Sequence, residues 1–111
     1  MNNEEFQQML ADKMTEVELQ GKIRRLAKLR GFTHIYHTHM SKRSDAGFPD
    51  LVMIKDGRLL FAELKKQKGS RTTPEQLEWL SALTEAGVEN YLWRPSDLID
   101  GTIDRILRGT P

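Results

Sequence analysis

Leu51-Val52-Met53-Ile54-Lys55-Asp56-Gly57-Arg58-Leu59-Leu60-Phe61-Ala62-Glu63-Leu64-Lys65 is two short apolar runs joined by Asp56-Gly57. An Asp-Gly pair between such runs is a strong hairpin signal, because a type I′ turn needs positive φ at both central residues. With Asp56-Gly57 as the two-residue loop, the register follows by counting. Lys55 opposes Arg58, Ile54 opposes Leu59, Val52 opposes Phe61, and Asp50 opposes Glu63. Side chains alternate between the faces of a sheet. Asp50, Val52, Ile54, Leu59, Phe61, Glu63 and Lys65 therefore share one face, and Leu51, Met53, Leu60, Ala62 and Leu64 share the other. Both faces are apolar near the turn, which predicts a central hairpin covered on both sides.

The same register creates an electrostatic problem. Two carboxylates directly opposite each other sit about 4.5–5.5 Å apart at Cβ and repel. A divalent cation removes the objection. Magnesium takes oxygen ligands, typically one or two carboxylates, with water and substrate phosphate completing its shell. Lys65 points to the same side, where its ammonium would orient an attacking water or stabilise charge developing on a phosphate. The competing reading is that Asp50 marks an exposed strand start, with Glu63 and Lys65 an ordinary polar strand end.

Outward from the hairpin, Thr15 to about Arg30 reads as a helix. Thr15 is a good N-cap with Glu18 three residues on, and Leu19, Ile23, Leu26 and Ala27 form an apolar stripe. Gly31 is a natural stop. Phe32–Met40 reads as a strand and Ser41–Gly47 as a loop. After the hairpin, Lys66–Thr72 is a basic loop. Thr73-Pro74-Glu75-Gln76 then opens a second helix with an N-cap, a first-position proline and a capping-box glutamine. Leu77, Leu80, Leu83 and Ala86 supply its expected buried side. Val88–Trp93 reads as a strand, and Ser96–Leu107 as a short closing helix weakened by Gly101. The first fourteen residues are a polar arm or short helix. This order predicts an α/β fold, a mixed sheet with helices packed on it.

At 111 residues the chain has the length of one small domain, so residues 1–111 are expected to form a single unit. Cysteine is absent, which excludes a disulfide framework and a thiolate zinc site and fits a reducing cytoplasm. The opening residues are too polar for a signal peptide, and no apolar run reaches membrane-spanning length. The net charge is only +1, but its distribution is uneven. Glu4, Glu5, Asp12, Glu16 and Glu18 dominate the N-terminal stretch. Lys42, Arg43, Lys55, Arg58, Lys65, Lys66, Lys68 and Arg71 outnumber the acids in the middle, either as a phosphate-binding face or as ordinary solvated surface.

A third carboxylate is available from the first helix. At about 100° per residue, Glu16 falls near the middle of the Leu19/Ile23/Ala27 stripe, Gln20 at its edge, and Glu18 away from it. That phase assigns Glu16 to the site and Glu18 to capping. A helix-start position, where the dipole welcomes a carboxylate, is the alternative for Glu16.

Gly47-Phe48-Pro49-Asp50-Leu51 followed by Ala62-Glu63-Leu64-Lys65-Lys66 resembles the PD-(D/E)XK nuclease superfamily. Thr15-Glu16 leading to Leu19-Gln20, and Lys68-Gly69 followed by Thr73-Pro74-Glu75-Gln76, narrow the resemblance to the virus-type replication-repair nuclease (VRR-NUC) domains, over about Thr15 to Trp93. The last motif position is Glu-Leu-Lys rather than the commoner Glu-Val-Lys. The resemblance implies a restriction-endonuclease-like core and a DNA endonuclease acting on branched DNA, in the manner of a Holliday-junction resolvase. Its setting would be the cytoplasm of a bacterium or a phage-infected host. Asp50 and Glu63 would bind Mg²⁺ or Mn²⁺, Lys65 would be the catalytic lysine, and Glu16 the helix carboxylate, itself a candidate ligand. Gln20 and Gln76 would lie near the substrate backbone. Small stand-alone members are often dimeric, and a symmetric pair would present two sites to a symmetric junction.

Lys42, Arg43, Lys66, Lys68 and Arg71 flank the expected site in loops, which suits a DNA backbone groove. His37 and His39 share a strand face and sit near His34, so a zinc pair is conceivable, but imidazoles suit phosphate contacts equally well. Trp79 and Trp93 read as core or subunit-contact residues rather than stacking platforms. Two other functions compete with the DNA endonuclease: a DNA-binding module that keeps the fold without the chemistry, and an RNA-processing nuclease.

Overall fold

A computed structural model of the chain describes residues 1–39 and 45–109. Helix α1 spans Asn3–Lys13 and starts at Asn2, whose side chain accepts from the Glu5 N–H at 2.8 Å. Helix α2, Glu16–Leu29, opens with the expected box: Thr15 accepts from the Glu18 N–H, and Glu18 reaches back to the Thr15 N–H. Leu19, Ile23 and Ala27 are its buried residues. Gly31 ends it at φ 91°, and the Phe32 N–H closes on the Ala27 carbonyl at 3.0 Å. That closure folds the Phe32 ring into the core, so strand β1 is only His34–His37, shorter than the Phe32–Met40 run suggested.

Strand β2 is Leu51–Lys55 and β3 is Arg58–Leu64. They pair antiparallel with Lys55 opposite Arg58, Ile54 opposite Leu59 and Val52 opposite Phe61, the register the turn dictated. Asp56 at φ 47° and Gly57 at φ 80° supply the two positive-φ positions. Helix α3, Pro74–Glu85, carries the chain across to β4, Glu89–Trp93, which pairs parallel with β3. The closing helix expected over Ser96–Leu107 is two helices, α4 at Pro95–Ile99 and α5 at Thr102–Arg108. Gly101 at φ 87° lies between them and turns the chain. The sheet is mixed, in the order β1-β2-β3-β4.

The two faces of the hairpin are not equally covered, which corrects the expectation. Leu51, Met53, Leu60, Ala62 and Leu64 are all buried and join Leu19, Ile23 and Ala27 of α2 with Ile103 and Leu107 of α5 in one core. On the opposite face Ile54 and Leu59 are each 38% exposed. Helix α3 has no buried residue, and Leu77, expected on its inner side, is 53% exposed. The reason is placement: α3 packs along β4, at one end of the sheet. Between it and the hairpin, Phe48 makes edge contacts with Phe61 and Trp79, at centroid distances of 6.0 and 5.0 Å.

Candidate active site

The last paired residues of the hairpin are Leu51 and Ala62. One step beyond them the chain places Asp50 against Glu63, where β2 begins and β3 ends. Asp50 is held there by a backbone donor, because its Oδ2 accepts the Leu64 N–H at 2.8 Å. Glu63 is 2% exposed. Its Oε1 accepts from Gln76 Nε2 at 3.2 Å, while its Oε2 is buried with no hydrogen-bond partner among the described residues. Lys65 follows at 8% exposure, and its backbone N–H donates to the Trp93 carbonyl at 3.0 Å.

Burial pushes the Glu63 carboxyl up to about 9, and hydrogen bonding to Asp50 and its charge push the same way. Lys65 pulls the value down and Glu16 adds to the rise. Without a cation, Glu63 therefore holds a proton at neutral pH. A buried, partnerless carboxylate oxygen beside a second carboxylate is a hard-oxygen donor set that fits Mg²⁺ or Mn²⁺. Among the described residues, no three His, Cys, Asp or Glu side chains gather closely enough to hold an ion by themselves. Asp50 and Glu63 are thus a carboxylate pair rather than part of a cluster of three among the described residues.

This proton makes stability in EDTA depend on pH. The folded value lies above the ordinary carboxylate value, so the folded state binds more protons than the unfolded chain between them. The Glu63 contribution is fully present below about pH 4.5 and is lost as pH rises through about 9. Chemical unfolding in EDTA should show stability falling across that window, by up to about 1 kcal/mol per pH unit. Glu63→Gln should flatten the slope; an unchanged slope in that variant would refute the assignment.

The segment carrying Asp50 is fixed by a close approach. Gly47 has φ 89°, and a Cβ there would meet the Glu75 carbonyl carbon and oxygen at 2.5 and 2.6 Å and the Gln76 nitrogen at 2.8 Å. These are backbone atoms of the first turn of α3, which cannot move like a side-chain end. At the same turn Gln76 closes the α3 capping box and also donates to Glu63. Gly47→Ala should cost about 3 kcal/mol from the left-handed strain and the overlap together. Its thermal melt should drop accordingly, and a wild-type melt would show that the loop does not abut α3.

Glu16 reaches the rim of the site rather than its floor. It is exposed in the first turn of α2, and its Oε1 accepts from the Lys66 N–H at 3.4 Å and Ser70 Oγ at 3.2 Å. Its negative charge is nevertheless felt at Glu63. Gln20, one turn along, is half-buried. Arg94, which the sequence reading passed over, fixes the same loop: its Nη1 donates to the Lys66 carbonyl at 2.7 Å and the Ser70 carbonyl at 3.3 Å. The signal lay in the parallel pairing of Leu64 with Trp93, which sets Arg94 beside Lys65.

The basic residues divide. Lys66 and Arg71 are exposed around the site, whereas Lys68 is engaged by Asp12 of α1 at 3.2 Å. Lys42 and Arg43 lie outside the described residues. The His37 and His39 rings sit 4.2 Å apart, tilted by 59°. Trp93 is in the core, stacked on Tyr91 at 5.1 Å, and Trp79 is half-buried against Phe48.

No family model and no curated protein matches the chain. Solved structures do. One, described as a VRR_NUC domain protein, is 29% identical, with a TM-score of 0.65 over 84% of this chain and 85% of that one. Another, described as a VRR_NUC domain, is 25% identical, with a TM-score of 0.55 over 76% of this chain and 92% of that one.

Proposed function

We propose that this chain, which has the restriction-endonuclease-like α/β fold of VRR-NUC nuclease domains, is an endonuclease that hydrolyses phosphodiester bonds in branched DNA with Mg²⁺ or Mn²⁺. One observation carries the reading. Asp50 and the buried Glu63, whose Oε2 has no hydrogen-bond partner among the described residues, face each other at the end of a hairpin, and the Lys65 charge acts on Glu63. Without a cation the pair depends on a proton at Glu63; a divalent cation would replace that proton and let both carboxylates carry charge.

Asp50 and Glu63 would hold the ion. When bound, it would supply Lewis-acid charge at the scissile phosphate and make nearby water more acidic. The other tasks fall to the chain. The Leu64 N–H keeps the Asp50 carboxylate aimed, and Gln76 keeps Glu63 from turning away. Lys65, close enough for its charge to act on Glu63, places an ammonium where negative charge builds on the phosphate as the P–O bond breaks. Glu16 and Arg94 shape the Lys66–Ser70 loop that borders the site. A second copy of the chain would complete a two-site resolvase, since a symmetric junction asks for two equivalent sites.

The test is a cleavage panel with purified protein: four-way junction, flap, linear duplex and RNA, each with Mn²⁺ and with EDTA. Metal-dependent nicking of four-way or flap DNA above linear duplex is the expected result. Tight DNA binding without cutting would mark a binding module, and preferential cutting of RNA would move the substrate class. Light scattering on the same sample should give twice the chain mass.

A further inference from the structure

The stripe of α2 that begins with Glu16 and Gln20 continues, one turn on, to Arg24. Residues four apart lie one above the other on a helix, so the three side chains form one row about 12 Å long. Its first end meets the Lys66–Ser70 loop through Glu16. Its other end lies toward His37 of β1. There Arg24 lies near enough to His37 for its charge to hold the His37 value down, together with His39 and after burial. The two imidazoles are in ring contact.

Two features make this corner unusual. First, the charges acting on His37 are all basic, His39 and Arg24, with no carboxylate among them. Several other cations of the chain are ion-paired: Arg30 with Asp104, Arg58 with Glu89, Lys68 with Asp12. Second, the Arg24 Nε is buried and has no hydrogen-bond partner among the described residues. A buried donor is normally satisfied, and one left open within electrostatic reach of His37 calls for an acceptor that carries negative charge.

The corner is also tied to the reacting segment. Thr38, between the two histidines, donates its N–H to the Asp50 carbonyl and its hydroxyl to the Pro49 carbonyl, both at 2.8 Å. Whatever sits on His37 and His39 is therefore registered against Asp50 by two hydrogen bonds.

We propose that Arg24, His37 and His39 form a phosphate-binding subsite that holds a backbone phosphate flanking the scissile one, on the side of the site away from the Lys66–Arg71 loop. Arg24 supplies the fixed charge, and the imidazole N–H groups supply directed donors. The inference rests on the nucleic-acid reading above and adds to it a direction for the strand, from the basic loop over the carboxylate pair to the β1 end.

The experiment measures DNA binding by fluorescence anisotropy in Ca²⁺ over a range of KCl concentrations, and steady-state cleavage in Mn²⁺, on the full chain. The proteins are wild type, Arg24→Gln, Arg24→Lys, His37→Gln and His39→Gln. Loss of one phosphate contact lowers the salt slope by about one. Arg24→Gln should show that drop and bind about tenfold more weakly, with the cleavage defect falling on KM rather than kcat. Arg24→Lys should restore the slope. His37→Gln and His39→Gln should weaken binding in the same direction. His39 is exposed, so that variant remains informative even if Arg24→Gln does not fold. Unchanged affinity and slope in the Arg24 and His39 variants would overturn the subsite, as would a defect confined to kcat, which would mark displacement of Asp50 instead. If wild type binds DNA but never cuts it, the nuclease reading fails, while the salt slopes still decide the subsite.

Discussion

Lys65→Ala should lower the cleavage rate by about a thousandfold, the order lost when a preorganised charge donor at a reacting phosphate is removed, while DNA binding changes by less than about threefold. The side chain stands at the end of β3, and its backbone N–H bonds to the Trp93 carbonyl, so truncation leaves the strand ladder in place. Its charge acts inward: it is felt at Glu63 and is only 8% exposed to solvent. A cation so placed adds little to the long-range attraction of DNA, which depends on exposed residues such as Lys66 and Arg71. Single-turnover kinetics at saturating protein separate the two quantities. Lys65→Met, which keeps the apolar stem, should behave alike and guards against a packing explanation. Full activity in either variant would remove Lys65 from the chemistry and leave the carboxylate pair without its cation.

What the sequence made visible was mostly local. Asp56-Gly57 dictates a turn whose φ values only a few residues accept, and the register follows from it by counting. The two capping boxes, Thr15 with Glu18 and Thr73 with Gln76, likewise depend on atoms three residues apart. What stayed hidden depends on distant placement. Apolar residues on both hairpin faces predicted two covers, but α3 packs along β4 and leaves Ile54 and Leu59 part-exposed. Helical phase brought Glu16 toward the site, yet phase says nothing about position along the axis. The first turn of α2 is exposed, so Glu16 meets Lys66 and Ser70 at the rim. Arg94 was invisible because its place beside Lys65 comes from a parallel pairing between strands separated by a whole helix. Gln76 is the cap the sequence predicts, with its Oε1 accepting from the Thr73 N–H, and its Nε2 reaches Glu63, a contact between distant elements that no local pattern shows.

Asp50→Asn should abolish both the metal response and cleavage while leaving the metal-free fold in place. In the wild type the Asp50 charge lies against the buried Glu63 and helps push its carboxyl up to about 9. Asparagine keeps an oxygen that can accept the Leu64 N–H, so the strand end stays held without metal. The substitution takes away half of the carboxylate pair. A ligand that binds only the folded state stabilises it by about 2.7 kcal/mol at a hundred times its Kd. Wild type should therefore gain several degrees on adding Mn²⁺, and Asp50→Asn should gain almost none. Cleavage should fall by at least about a thousandfold, since the variant lacks both the ion and the geometry it imposes. A polar strand start with no metal would give a different pattern: melting with and without Mn²⁺ would coincide in both proteins, and cleavage, if any, would survive EDTA. Thermal melts of the two proteins in EDTA and in Mn²⁺ therefore test the carboxylate pair without needing to know the substrate.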